Sequence, residues 1–138
     1  MTTLRHGSTR RDRGAVAVET ALVMPVLLLV IFGAVDFGRL LNAQISLTQA
    51  AREGARWAAL GQSGASVRVV TAAPGLSPAP TSVVTGCPAG APLSANATVV
   101  ASYTFSFITP FGAISGLLGG TSPGNLTLTS TGVMRCGG

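Results

Sequence analysis

The chain has 138 residues, room for one domain of modest size and an appendage, and its mean hydropathy is +0.53 with 9% charged residues. A soluble globular domain usually carries about a quarter charged residues, so the shortage predicts a membrane segment. The net charge is +5, but four of the nine arginines precede the apolar run and the other five are spread from Arg39 to Arg135, which argues against a nucleic-acid-binding protein.

The first fourteen residues are short, polar and rich in arginine, and we expect them to be a disordered cytoplasmic leader. The apolar run that follows is too long for the core of an ordinary secretory signal peptide, and no small-residue cleavage site closes it. The leader, residues 1–14, therefore precedes the hydrophobic segment.

An uncharged run extends from Thr20 to Val35, and the apolar residues before Glu19 bring it to the roughly twenty residues that cross a bilayer. Four arginines precede it, so the positive-inside rule places the N-terminus in the cytoplasm and the rest of the chain outside the cytoplasmic membrane. We expect about residues 15–37 to span the membrane, with a kink or local unwinding of the helix at Pro25.

The helical periodicity continues past this segment to Leu60, and Gly61 predicts the end of the helix. A continuous helix over residues 15–60 is roughly 70 Å long. Its outer half carries an apolar stripe that needs a packing partner. Asp36 with Arg39, and Glu53 with Arg56, stand at the i,i+3 spacing of exposed ion pairs.

The remaining residues, 65–138, predict a small extracytoplasmic β-sheet domain. Alternating side chains indicate strands over residues 66–71, 81–85, 97–108 and 125–135, with a glycine-rich excursion from Pro110 to Gly124. The row of Tyr103, Phe105 and Phe107 is assigned to the core. The expected fold is α+β: a long N-terminal transmembrane helix followed by an antiparallel sheet of three to four strands.

The two cysteines, Cys87 and Cys136, both adjoin turn-forming residues in the part of the chain predicted to lie outside the cytoplasm. A disulfide between them is one interpretation, and two unrelated thiols are the other. No metal site is expected, because His6 is the only histidine. The sequence shows no catalytic constellation, so we expect neither an enzyme nor a cofactor or small-molecule substrate.

The most unusual feature of the N-terminal segment is a carboxylate inside it. Glu19 is the fifth residue after Gly14 and is surrounded by apolar residues, where a charge is costly and indicates a function. If the bond between Gly14 and Ala15 is cut, Ala15 gains a free α-amine. Glu19, on the same chain or on a neighbour, is placed to neutralise it. An interfacial glutamate at the start of a plain membrane anchor is the alternative.

The stretch RRDRGAVAVETALVMPVLLLVIFGAVDFGR, residues 10–39, resembles the leader and N-terminal helix of TadE-like proteins, the minor pilins or pseudopilins of tight-adherence (Flp-type) pili. The resemblance implies cleavage between Gly14 and Ala15 by a prepilin peptidase, and Glu19 as the glutamate used in assembly. It also implies partners: the membrane, other pilins, and an inner-membrane assembly platform.

Two departures from the main filament subunits of these pili favour a minor pilin or pseudopilin. Thr20 follows the glutamate where those subunits often place an aromatic residue, and this chain is much longer than they are. The competing hypothesis is an uncleaved, single-pass protein that displays its sheet domain as a binding module.

Overall fold

The structure is a computed structural model that describes residues 9–90, 92, 94–108 and 125–136. Its elements follow in the order α1 (Thr9–Ala59), α2 (Ala65–Ala72), β1 (Thr81–Thr85), β2 (Asn96–Phe105) and β3 (Leu126–Arg135). The predicted α+β class is confirmed, with three strands. The excursion predicted from Pro110 to Gly124 lies outside the described residues. The contacts divide the chain into two compact units, with the boundary between Val35 and Asp36.

The first unit, within the described residues, is the part of α1 that ends at Val35. Its side chains from Gly14 to Phe32 are all exposed, and apolar residues occupy every side of the helix. The helix from Gly14 is long and apolar enough to cross a membrane, with a mean hydropathy of 2.5 in its most apolar window. A helix that is apolar all round requires lipid or other helices around it.

The helix begins earlier than the sequence predicted. Residues 9–14, expected to belong to a disordered leader, form the first turns of α1. Arginine is a good helix former, and adding residues to an existing helix is far easier than nucleating one, so the apolar segment can extend its helix into this polar stretch.

The second unit begins at Asp36 and contains the rest of α1, α2 and the sheet. In this part of α1 one face is buried and consists almost entirely of alanine, at spacings of three and four residues. Its buried apolar residues are Ala43, Leu47, Ala50, Ala51, Ala55, Ala58 and Ala59. Small side chains on this face allow other elements to approach the helix backbone closely.

The sheet is antiparallel, in the order β1-β2-β3. Val100 of β2 pairs with Val83 of β1 on one side and with Thr131 of β3 on the other. The inward residues of β2 are buried and the outward ones are exposed or half-buried, as the alternation predicted. Tyr103 and Phe105 belong to the core, and Phe107 packs against it.

One predicted strand is wrong. Residues 66–71 alternate in polarity, but they form the helix α2. Ala65, Val69 and Ala73, which are spaced by four residues, are buried. A β-carbon at Gly54 of α1 would stand 2.5 Å from Cγ2 of Val69, so α2 packs closely on α1 here. The burial of this helical face outweighed the strand-like alternation, which is ambiguous over so short a segment.

Glycine allows the closest contact between α1 and the sheet. A β-carbon at Gly132 of β3 would lie 2.5 Å from the carbonyl carbon of Ala51 and 2.9 Å from the backbone nitrogen of Arg52. Beside this contact, the Ser130 hydroxyl donates to Oγ1 of Thr48 at 3.2 Å, and Nε2 of Gln44 donates to the Thr129 carbonyl at 3.4 Å. Strand β3 therefore rests on the helix backbone itself.

Asp36, the first residue of the second unit, joins α1 to the end of β2. Its Oδ1 accepts hydrogen bonds from Nη1 of Arg39 at 3.0 Å and from the backbone N–H of Ile108 at 3.2 Å. The predicted pair with Arg39 is confirmed, but it is not an exposed pair, because the Asp36 side chain is only 4% exposed. The Arg39 guanidinium also lies 5.3 Å above the ring of Phe105.

The second predicted ion pair is wrong. Glu53 pairs with Arg68 of α2 at 2.9 Å, not with Arg56. Arg68 also covers the ring of Trp57, with its guanidinium carbon 5.4 Å from the ring centroid. Arg68 could not be identified as the partner from spacing along the chain, because the pairing depends on α2 lying beside α1. The helix ends as predicted, with Gly61 in the left-handed region at φ 68°.

A disulfide joins Cys87 to Cys136, with 5.8 Å between the Cα atoms. Cys87 follows β1 by two residues, and Cys136 follows β3 directly, where its N–H donates to the Ala95 carbonyl at 2.9 Å. The bond therefore fastens the end of the described chain to the other edge of the sheet.

We predict that Gly132→Ala destabilises the second unit by about 1–3 kcal/mol, because its methyl group overlaps backbone atoms that cannot rotate away. Urea unfolding of the full chain in detergent measures the effect. The control is Gly75→Ala, since no atom lies within 4 Å of a β-carbon there. Equal stability of the two variants would contradict the close approach of β3 to α1.

We also predict that Asp36→Asn lowers the unfolding free energy by about 1–3 kcal/mol, because it removes a charged acceptor of two hydrogen bonds from a buried position. Glu53→Gln is the matched control. Its pair with Arg68 is partly exposed on both sides, so about 0–1 kcal/mol is expected. A loss at Glu53 as large as that at Asp36 would show that burial of Asp36 contributes nothing.

Candidate functional site

The candidate site at the N-terminal end of the chain lies within α1. Gly14 and Ala15, the residues of the predicted cleavage, are both helical and exposed. No atom lies within 4 Å of the position that a β-carbon would take at Gly14. Glycine inside a helix costs about 1 kcal/mol relative to alanine. Packing in the described part of the chain therefore does not explain the glycine at this position.

Glu19 lies on the same face of α1 as Ala15, four residues and about 6 Å further along the helix axis. Its side chain lines a shallow apolar groove together with Val16, Val23 and Leu27. Thr20, next to it, donates its hydroxyl to the Val16 carbonyl at 2.8 Å. Among the described residues Glu19 forms no hydrogen bond and no ion pair. Its carboxylate is thus available to a group that comes from outside this part of the chain.

The position of Glu19 suits a positive charge at the start of the helix. The first four N–H groups of a helix lack intrahelical acceptors and carry a partial positive charge. If the helix began at Ala15, the free α-amine would add a full charge there. The partial charge of the helix end and the full charge of the amine both favour a carboxylate one turn away on the same face. Before cleavage, the positive end of α1 lies further towards Thr9.

Two other features singled out in the sequence are Pro25 and the row of aromatic residues at Tyr103, Phe105 and Phe107. The helix is continuous through Pro25, and the kink predicted there stays a prediction. The proline has no N–H, so the helix has one hydrogen bond fewer at that turn. Of the aromatic row, Tyr103 and Phe105 of β2 belong to the core and Phe107 packs against it.

The second unit contains a concave surface that we did not predict from the sequence. A small cavity of about 140 Å³ lies between α1 and the segment before β1, where Tyr103 donates its hydroxyl to the Ser77 carbonyl at 3.1 Å. Its polar wall comes from Arg39, Asn42 and Ser46. Their spacing of three and four residues along one face is visible in the sequence. What they face depends on the fold.

Within the part of the chain that the structure describes, no three His, Cys, Asp or Glu side chains come together as metal ligands do. Three of the chain's four acidic residues, Glu19, Asp36 and Glu53, lie far apart along α1. Asp36 and Glu53 are each paired with an arginine. These three carboxylates therefore do not form an acid–base pair with one another.

Residues 14–56 match the model of a family described as TadE-like protein. No curated protein and no solved structure matches the chain. The matched segment begins at Gly14, includes Glu19 and ends in the alanine-rich part of α1, so it excludes the sheet. Over residues 14–56, the greater part of α1, the chain carries a TadE-like segment, which confirms the resemblance seen in the sequence.

Proposed function

We propose that the chain is a structural minor pilin or pseudopilin that takes part in the assembly of a tight-adherence pilus, by initiating, priming or capping it. TadE-like proteins are a structural, pilus-associated family that is not known for enzymatic activity. The apolar N-terminal helix suggests membrane anchoring, and the small sheet domain has the size and form of a display or contact module.

The observation that carries this proposal is the combination of Gly14 and Glu19 on an exposed helix. No packing contact within the described residues requires a glycine at position 14, and the Glu19 carboxylate has no partner among them. A plain anchor has no need of either residue, and both add free energy costs in an apolar helix. A peptidase that recognises Gly14 and a charge that is created at Ala15 account for both together.

In the proposed sequence of events, a prepilin peptidase cuts between Gly14 and Ala15 on the cytoplasmic side of the cytoplasmic membrane. The cut removes the arginine-rich leader and leaves a helix with a charged amine at its first residue. Glu19 of the same chain or of a neighbouring pilin then pairs with that amine. This pairing lowers the cost of holding both charges among apolar helices.

The partners in this proposal are the peptidase, other pilins or pseudopilins, and the inner-membrane assembly platform. The exposed apolar surface of α1 up to Val35 supports it, because that surface suits lipid before assembly and neighbouring helices after it. The second unit, outside the membrane, remains folded through its own core and the Cys87–Cys136 disulfide.

The second candidate function is an uncleaved, membrane-anchored binding module. The small, disulfide-fastened sheet favours it, since such a domain can be displayed without any assembly. In that case the leader stays attached, and Glu19 is an interfacial side chain.

Processing separates the two candidates. We predict that the protein extracted from membranes has an intact mass that corresponds to a chain starting at Ala15. The same measurement after expression without a prepilin peptidase provides the control and should give the unprocessed mass. An N-terminus at Met1 or nearby in the native host would contradict the pilin function.

We further predict that Glu19→Gln is inserted in the membrane and stably folded, because Glu19 makes no contact with the second unit's core, yet reduces piliation strongly. Counting pili by electron microscopy measures this. Glu53→Gln is the control, since it removes the same charge from α1 far from Ala15. Normal piliation by Glu19→Gln would remove the proposed role of this carboxylate.

A further inference from the structure

In the second unit, α1 has an exposed stripe on the side away from its buried alanines. We call it the outer stripe, and it consists of Leu41, Ile45, Arg52 and Arg56. At about 100° of rotation per residue, these four positions lie within about 60° of one another around the helix. Leu41 and Ile45 are 46% and 58% exposed, and both arginines are exposed as well. The stripe therefore has an apolar half and a basic half, over about 22 Å of helix.

The basic half carries charge that the fold does not neutralise. From Asp36 onward the chain has five arginines but only two acidic residues, Asp36 and Glu53, and both of these are paired with other arginines. Arg52 and Arg56 form no ion pair and no hydrogen bond within the described residues. No acidic side chain follows Glu53 in the sequence, so the rest of the chain has none to offer them.

The arrangement of charges on α1 favours neither arginine pair nor apolar exposure by itself. Glu53 stands at the i,i+3 spacing from Arg56 but pairs with Arg68 of α2. Two like charges at i,i+4, such as Arg52 and Arg56, weaken a helix slightly. Arg56 lies in the last turn, where the negative helix end favours a cation, but Arg52 precedes that turn. No contact within the described residues requires Arg52 or the two exposed apolar side chains.

We propose that the outer stripe binds a different protein, through a surface on which carboxylates lie beside apolar side chains. Leu41 and Ile45 supply the apolar contact, and Arg52 and Arg56 pair with the carboxylates. A guanidinium suits this role because it can bond a carboxylate at two points. Apolar side chains beside arginines are also typical of protein–protein interfaces. The proposal depends neither on cleavage of the leader nor on pilus assembly.

A second copy of this chain does not provide the acidic surface. Two copies that met stripe to stripe would bring four unpaired arginines together, which like-charge repulsion disfavours. Elsewhere in the second unit both acidic side chains are already paired with arginines. The chain's other two acids, Asp12 and Glu19, precede that unit, and Asp12 belongs to the predicted leader. The missing carboxylates therefore point to another protein.

Photocrosslinking in membranes of the native host tests the proposal. In the full chain Ile45 is replaced by p-benzoylphenylalanine, and the same replacement at Val83 of β1, which is 71% exposed, is the matched control. We expect the Ile45 position to form an adduct with one other protein, and mass spectrometry to find Asp or Glu in the crosslinked surface. Changing Arg52→Glu and Arg56→Glu together should lower the adduct yield about tenfold or more, because like charges would then face each other.

Two further variants show whether charge pairing causes this loss. Arg135→Glu reverses an exposed arginine on β3 instead of α1 and should leave the yield unchanged. Lysine in place of the partner's crosslinked acids should restore the adduct with the doubly reversed chain. Retention of the Cys87–Cys136 disulfide on non-reducing gels checks that the second unit of each variant is folded.

Several results would overturn the proposal. A crosslink within one chain, between two copies of it, or to lipid alone would show that the stripe has another occupant. Equal adducts from the Ile45 and Val83 positions, or no adduct at all, would show that the stripe binds no particular partner. A yield that is unchanged by the reversal of Arg52 and Arg56, or not restored by the partner's lysines, would remove the charge pairing. None of these results depends on where the mature chain begins, so they are separate from a failure of the pilin function.

Discussion

The structure depends on close contact between the backbone of α1 and the sheet, which small residues make possible. Alanines cover the buried face of the helix beyond Asp36, and Gly132 of β3 lies directly on the backbone at Ala51. Larger side chains at this contact would separate the two layers, and the core of a domain this small has no surplus to lose. Helix α2 also packs closely on α1, through Gly54 and Val69.

A single helix therefore serves two different environments. From Gly14 to Val35 it carries apolar residues on all sides and no residue is buried, whereas beyond Asp36 one face is buried under the sheet and α2. The change coincides with the first acidic residue after the uncharged run. Asp36 is buried because it accepts hydrogen bonds from Arg39 and from Ile108, and it thereby fixes the end of β2 at the start of the second unit. The apolar segment therefore ends at Val35, and the folded domain begins at the next residue, Asp36.

This arrangement relates directly to the proposed function. A subunit that is stored in a membrane and later moved into a filament must keep its outer domain folded while the surroundings of its helix change. Among the residues that the structure describes, the core of the second unit contains no side chain that precedes Asp36. Glu19 and Gly14, in turn, contribute nothing to that core. In the proposed function, folding and assembly are therefore carried by separate parts of one helix.

The sequence by itself determined the long apolar helix, its end at Gly61, two long alternating strands and the special positions of Gly14 and Glu19. These follow from local patterns: hydropathy, periodicity, a helix-ending glycine and a charge among apolar residues. Only the tertiary structure decided that residues 65–72 are a helix, that Glu53 pairs with Arg68, and that Asp36 is buried. A short segment whose pattern fits both a helix and a strand adopts the one that buries more of its apolar side chains. The partner of a charged side chain depends on which elements pack beside it. Neither can be read from spacing along the chain, because both are set by contacts between residues distant in sequence.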